Sequence, residues 1–329
     1  MAGMGKRMRP HTLTIPKPLI PVAGKPMVQR IVEDLAGVCP EKITEIAYVI
    51  SRAFGKEAEA NLVAVAKALG AVGKIYYQDE PLGTAHAILC AKDSLDGKTL
   101  IAFADTLFIP DKTAKVDTNK DGIIWVQKIP DPRAFGVVKL DNDGVITDFV
   151  EKPQSFISDL AIIGIYYFKD GEYLKKEMQY LIDNNLKEKG EFQLTNAMEN
   201  MKQKGTKFVT SQVAEWLDCG NKDATVYTNQ RILDVYYKGQ KTTVDSKQST
   251  IIEPCTIGKN VQIINSTIGP HVSIGANCVI ENSSVKNSII QSNTKIKNAT
   301  LSNSMLGNFV EYSGTSSDAS IGDYSVIKN

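Results

Sequence analysis

The chain has 329 residues, enough for two domains, and its 43% apolar and 23% charged content is that of a soluble globular protein. A net charge of +1 excludes the basic excess of a nucleic-acid binder, and no apolar run approaches the roughly 20 residues of a membrane span. Five cysteines (Cys39, Cys90, Cys219, Cys255 and Cys278), odd in number and without C-x-x-C spacing, point to reduced thiols in the cytoplasm rather than a disulfide framework or zinc site.

The chain opens on Ala2-Gly3-Met4-Gly5-Lys6-Arg7-Met8-Arg9-Pro10, followed by Ile15-Pro16-Lys17-Pro18-Leu19. Glycines at 3 and 5 leave backbone N–H groups open to a bulky anion, with Arg7 and Lys17 beside them and prolines stiffening the segment that carries Lys17. This spacing fits a polyphosphate, yet it is neither a Walker A loop nor a three-glycine dinucleotide fingerprint. Such a loop ordinarily follows a buried strand that aims it. With only Met1 and Ala2 ahead of Gly3, the first strand reads as missing, which predicts a gap within the sheet.

Strands are predicted over 43–50, 74–78, 99–104, 122–129, 136–140, 145–151 and 161–168, where Ile, Val and Tyr are bounded by turn residues. Helical apolar spacing marks 25–37, 54–69, 84–93, 171–184 and 191–204. This alternation predicts a Rossmann-like α/β domain over residues 1–240, a mostly parallel sheet with helices on both faces. Ligands of such sheets collect at the carboxyl ends of the strands.

The pattern changes over 241–329. Ile251, Ile257, Ile263, Ile268, Ile274, Ile280, Val285, Ile290, Ile296, Leu301, Leu306 and Tyr312 recur every five or six residues among Gly, Asn, Ser and Thr. That is the signature of a hexapeptide-repeat left-handed β-helix, expected at about four coils of about eighteen residues.

The opening loop with its Pro-Lys-Pro-Leu continuation resembles the sugar-1-phosphate nucleotidyltransferases. So do Gln78-Asp79-Glu80-Pro81-Leu82-Gly83-Thr84-Ala85, Phe103-Ala104-Asp105, Phe135-Gly136-Val137-Val138, Glu151-Lys152-Pro153, Gly164-Ile165-Tyr166 and Trp216-Leu217-Asp218-Cys219-Gly220, in the family's order. The resemblance covers nearly the whole first domain, and the β-helix is similar to that of several members.

It implies attack of a sugar-1-phosphate oxygen on the α-phosphorus of a nucleoside triphosphate, with release of pyrophosphate. Positioning and positive charge do most of such work. Arg7, Lys17 and Lys152 are the implied catalytic cations, Lys152 holding the sugar phosphate. Gly3, Gly5, Gln78, Pro81, Gly83 and Thr84 bind the nucleotide, the last two with Gln78 at the base. Gly136, Glu151, Gly164, Tyr166 and Thr195 line the sugar pocket, with Glu151 accepting sugar hydroxyls. Asp105 and Asp218, each after an apolar strand run, are the implied Mg²⁺ ligands. Lys6 stands where the family more often has threonine, and Asn196 where it often has aspartate.

The histidines carry less. His86 reads as helix packing or capping, and His11 as an aid to the phosphate loop or a surface residue. His271 would be the base of an acyltransferase on the β-helix, but a lone histidine at a prism corner is more often solvated. The expected protein is a cytoplasmic, Mg²⁺-dependent nucleotidyltransferase acting on an NTP and a hexose-1-phosphate, a homo-oligomer with no nucleic-acid or membrane partner. Glucose-1-phosphate with dTTP comes first. UTP with glucose- or N-acetylglucosamine-1-phosphate comes second, since Gly83-Thr84-Ala85-His86-Ala87 is similar to that of uridylyltransferases. Guanylyl transfer to mannose-1-phosphate follows, and the non-enzymatic alternative is a silent regulatory subunit.

Overall fold

The computed structural model describes residues 3, 5–111, 115–241 and 245–328, so Ala2 and Met4 of the opening loop lie outside the described residues. Two compact units emerge, one over Ile31–Trp216 with Gly3, the other over residues 5–30 and 217–328.

In chain order, β1 (Pro21–Val22) and β2 (Lys25–Pro26) pair as a short hairpin, and α1 (Met27–Val38) follows. The predicted helix from residue 25 therefore starts later, because Lys25 and Pro26 are spent on the hairpin. Met27, Val28, Ile31, Val32 and Leu35 of α1 are all buried, at helical spacing. Next come β3 (Glu45–Ile50), α2 (Gly55–Ala68), β4 (Val72–Tyr77), α3 (Thr84–Leu89) and β5 (Thr99–Ala102). Then follow β6 (Thr106–Ile109), β7 (Gly122–Lys128), β8 (Gly136–Leu140), β9 (Ile146–Glu151) and β10 (Leu160–Phe168). The unit's remaining helices are α4 (Gly171–Asp183), begun by Asp170 accepting from Tyr173 N at 2.8 Å, and α5 (Leu194–Gln203). The strand β11 (Phe208–Ser211) was not legible in the sequence, nor was β6, because the run 99–104 gave no sign of breaking and resuming.

β10 is the axis of the sheet. From Ala161 to Phe168 every residue is buried, and it pairs antiparallel with β5, β7 and β8, while β11 lies parallel to β7. β3 and β4 form a separate parallel pair, in register from Glu45↔Val72 to Ile50↔Tyr77. Among the described strands, β3 pairs with β4 alone and β5 with β10 alone. Phe168, Phe208, Ile124, Met178 and Met198 are the fully buried centre of the core.

The second unit contains the end of β12 (Glu215–Asp218), α6 (Lys222–Tyr236) and a β-helix over β13–β28 (Asp245–Lys328). α6 went unread in the sequence; Asn221 Oδ1 caps it by accepting from Ala224 N at 2.9 Å. The β-helix consists of three parallel sheets of six, five and five strands, or about five turns rather than four. Successive partners Asp245, Gln262, Val279, Lys295, Glu311 and Val326 give coils of 17, 17, 16, 16 and 15 residues. These coils are shorter than the eighteen residues expected, and they turn tightly where a corner residue takes left-handed backbone. Asn260, Asn265, Asn277, Asn282, Asn287, Asn293, Asn298 and Asn303 all take left-handed backbone at these corners. Their amides stack from coil to coil, as in Asn265–Asn282 at 2.8 Å and Asn282–Asn298 at 3.2 Å. Ile263, Ile280, Ile296 and Tyr312 point into one side of the prism.

Candidate active site

The phosphate-loop residues Gly5, Arg7 and Lys17 belong to the second unit. Gly5 takes a left-handed φ of 56°, and its carbonyl accepts from Met8 N and Thr12 Oγ1, both at 2.9 Å. A Cβ on Gly5 would lie 3.0 Å from Thr12 Cγ2 and 3.2 Å from Lys17 Cβ, so glycine lets the loop close onto the Lys17 stem. Lys6–Met8 form one 3-10 turn, anchored by fully buried Met8, whose sulfur accepts from Thr225 Oγ1 at 3.4 Å. The same turn leaves Arg7 exposed. A second 3-10 turn, Lys17–Leu19, begins with Pro16 before it and buries Pro18, which holds Lys17 half-exposed. Gly3 is exposed, with no atom within 4 Å of a would-be Cβ.

Asp218 ends β12 in this unit. A Cβ on Gly220 would fall 2.6 Å from Asp218 Oδ2 and 3.4 Å from Arg7 Nη2. The bare Cα of Gly220 is therefore a cradle on which a carboxylate and a guanidinium converge. Cys219 beside it is fully buried.

Two histidines of this unit differ from expectation. His11 is no surface residue: it is completely buried, its Nε2 lies 3.1 Å from Ser320 Oγ, and burial pulls its pKa down to about 4. His271 is half-buried and paired rather than free in solvent. Its Nε2 lies 2.7 Å from Asp234 Oδ1, and Arg231 reaches the other oxygen of Asp234 at 3.2 Å.

The remaining candidates belong to the first unit. Gln78 follows β4 and is buried; its Nε2 donates to Gly83 O at 3.2 Å and to His86 Nδ1 at 3.0 Å. His86 thus does more than pack. Gly83, at φ 116°, is obligatory: a Cβ would lie 2.4 Å from Phe192 O and 2.7 Å from Phe192 N. Thr84 Oγ1 donates to Gln193 Oε1 at 3.2 Å and accepts from Leu194 N at 2.9 Å, so its hydroxyl ties α3 to the start of α5. Pro81 is exposed, and Asp105 lies in the turn between β5 and β6 rather than at the end of one long strand.

Glu151, at the end of β9, is the centre of the predicted sugar residues. Thr195 Oγ1 donates to its Oε2 at 3.4 Å, and a Cβ on Gly136 would lie 3.0 Å from that oxygen and 3.5 Å from Thr195 Cγ2. Lys152 Nζ is 3.6 Å from Glu151 Oε1 and half-exposed. Burial pushes the Glu151 carboxyl above its ordinary value, opposed by Lys152 and reinforced by Glu188. Tyr166 is buried on β10 and its hydroxyl is held protonated by burial and by Glu151. Gly164 forms a bulge in β10 at φ 85°, where a Cβ would lie 2.9 Å from Phe103 Cδ2; its glycine admits Phe103.

The turn at 188–190 escaped the sequence reading, and the helix predicted from 191 begins at Leu194. Lys189 Nζ donates to the carbonyls of Glu151 at 3.3 Å and Lys152 at 2.8 Å, holding the strand end that presents both side chains. Its only sequence signal is the turn residue Gly190. Among the described residues no group of three or more His, Cys, Asp or Glu could by itself hold a metal, and no disulfide joins the cysteines. No helix among them is long and apolar enough to cross a membrane.

The family model for nucleotidyl transferases matches residues 1–235, and the chain belongs to that family. It is 31% identical over 322 residues to the low-salt glycan biosynthesis nucleotidyltransferase Agl11 of Haloferax volcanii, covering 88% of this chain and 85% of that protein. It is 30% identical over 318 residues to a glucose-1-phosphate thymidylyltransferase of Streptomyces antibioticus, with 88% and 85% covered. Its fold is similar to a crystal structure, in complex with a sucrose, described as a glucose-1-phosphate thymidylyltransferase of Bacillus anthracis. That likeness has a TM-score of 0.59 at 23% identity, covering 73% of this chain and 95% of that one. The protein is an enzyme of nucleotidyl transfer.

Proposed function

We propose that the protein transfers a nucleotidyl group from dTTP to glucose-1-phosphate, in the cytoplasm, forming dTDP-glucose and pyrophosphate. The observation that carries this reading is the convergence of Glu151, Thr195 and Gly136: a half-buried carboxylate beside a bare glycine suits neighbouring hydroxyls of a hexose. The thymidylyltransferase relative, aligned over 88% of the chain, supports the choice of substrates. An oxygen of the sugar phosphate, held by Lys152, forms the new bond to the α-phosphorus as the α–β bridge breaks and pyrophosphate leaves. Arg7 and Lys17 supply positive charge to the triphosphate, arginine by bidentate bonds and lysine as a point charge.

The carboxylates of Asp105 and Asp218 are hard oxygen donors, as Mg²⁺ prefers, and the missing side chain of Gly220 is what admits the Asp218 carboxylate at its position. We assign both to Mg²⁺, which when bound neutralises phosphate charge. UTP in place of dTTP is the second reading, favoured by the Gly83-Thr84-Ala85-His86-Ala87 form.

The test measures pyrophosphate release for each pairing of dTTP, UTP, GTP, CTP and ATP with glucose-, N-acetylglucosamine- and mannose-1-phosphate. Turnover with dTTP and glucose-1-phosphate, lost in Asp105→Asn, is expected. A purine nucleotide as the clear winner would overturn the substrate assignment, and no turnover by any pair, with Asp105→Asn changing nothing, would overturn catalysis.

A further inference from the structure

The amide of Gln78 is buried, and both protons of its Nε2 are spent within the protein. One goes to Gly83 O at 3.2 Å, the other to His86 Nδ1 at 3.0 Å. A carbonyl oxygen can only accept, so the first bond alone demands the NH₂ end at that position. The second demands that His86 keep Nδ1 unprotonated, with its proton on Nε2. Among the described residues nothing donates to Gln78 Oε1. The side chain is therefore presented as a hydrogen-bond acceptor alone, although an amide can in general offer either end.

An acceptor alone distinguishes nucleobases by the protonation of the ring nitrogen it meets. Thymine and uracil carry N3–H, whereas cytosine has a lone pair at N3, which an amide oxygen repels. Two anchors on Nε2 hold the amide in that sense. With only Gly83 O left, it turns more readily and offers N–H to a cytosine. The backbone of Gly83 is itself immobilised by Phe192, so the adjustable anchor is the histidine.

We infer that His86 is a positioning residue that sets nucleotide preference by locking Gln78 with its oxygen towards the base. This rests on the reading above that Gln78 meets the base. His86 acts through Gln78 and does not touch substrate.

The experiment measures kcat/KM for dTTP, UTP and CTP in the full chain and in His86→Leu, His86→Gln and Gln78→Ala. One neutral hydrogen bond is worth about 1 kcal/mol, so the dTTP-to-CTP ratio of kcat/KM is expected to fall about fivefold in His86→Leu. The change should lie in KM for the nucleotide, with KM for glucose-1-phosphate unmoved. In His86→Gln the side-chain oxygen replaces Nδ1 as the acceptor, and much of the ratio is expected to return. An equal loss for all three nucleotides in His86→Leu, without recovery in His86→Gln, would mean a structural role and overturn the inference. So would an unchanged ratio in His86→Leu alongside a lost one in Gln78→Ala. A ratio unaffected by Gln78→Ala would instead remove the underlying reading of Gln78, and the inference with it.

Discussion

Thr195 Oγ1 lies 3.4 Å from Glu151 Oε2, and the bare Cα of Gly136 faces the same oxygen. The hydroxyl is the donor and the carboxylate the acceptor, so Thr195 orients the group proposed to hold the sugar. Glu151→Gln keeps the shape but exchanges one acceptor oxygen for a donor. A 10- to 100-fold rise in KM for the sugar phosphate is expected, the span of about 1.5–3 kcal/mol for a hydrogen bond to a charged group. KM for the nucleotide should hardly move, and steady-state kinetics with each substrate varied in turn checks this.

The raised pKa of Glu151 has a consequence for stability. A carboxyl whose folded pKa lies above its unfolded one contributes stability fully present below the unfolded value, lost as pH rises through the folded value. Glu151→Gln removes that loss. The Tm of Glu151→Gln should therefore gain on the wild type as pH rises from about 4 to neutrality, in parallel thermal melts.

His11 works in the opposite sense. Its folded pKa of about 4 lies below the ordinary 6.5, so the neutral imidazole stabilises the fold above pH 6.5 and that contribution fades as pH falls towards 4. A difference of this size corresponds to about 3 kcal/mol at most. Urea midpoints between pH 7 and pH 4 should fall for the wild type and fall less for His11→Asn, which keeps a donor and an acceptor without the titration.

Gly83→Ala should be among the most damaging single changes. The added methyl would meet Phe192 O at 2.4 Å, at a φ of 116° that only glycine adopts readily. A loss of at least about 2 kcal/mol is expected, read as a lowered urea midpoint, with nucleotide KM raised in whatever remains folded.

In the β-helix, Asn282 is bonded to Asn265 above and Asn298 below at a left-handed corner. Asn282→Ala loses both bonds and retains the backbone strain, whereas Asn282→Gly loses the bonds and relieves it. The alanine variant should be the less stable by about 1 kcal/mol, measurable by equilibrium unfolding.

What the sequence determined by itself was local or serial. The β-helix was legible because each inward aliphatic residue declares itself every five or six positions, and the order of motifs from Gly3 to Asp218 places the chain in its family. A buried strand such as β10 and a long amphipathic helix such as α4 are written in neighbouring residues, and hydrophobic periodicity reads them. Which residues meet across the loops was fixed only by folding in three dimensions. Gly83 looked like a glycine kept bare for a base; Phe192, more than a hundred positions on, is the backbone it must admit. Thr84 looked like a base contact and is bonded to Gln193 and Leu194, while His86 looked like packing and holds the amide of Gln78. The Thr84 bonds need segments more than a hundred residues apart to close to about 3 Å, and the Gln78–His86 bond needs the turn between them to fold back on itself. Hydrogen bonding is directional and short-ranged, so its partners are fixed by chain closure and leave no periodic trace in the residues that make them.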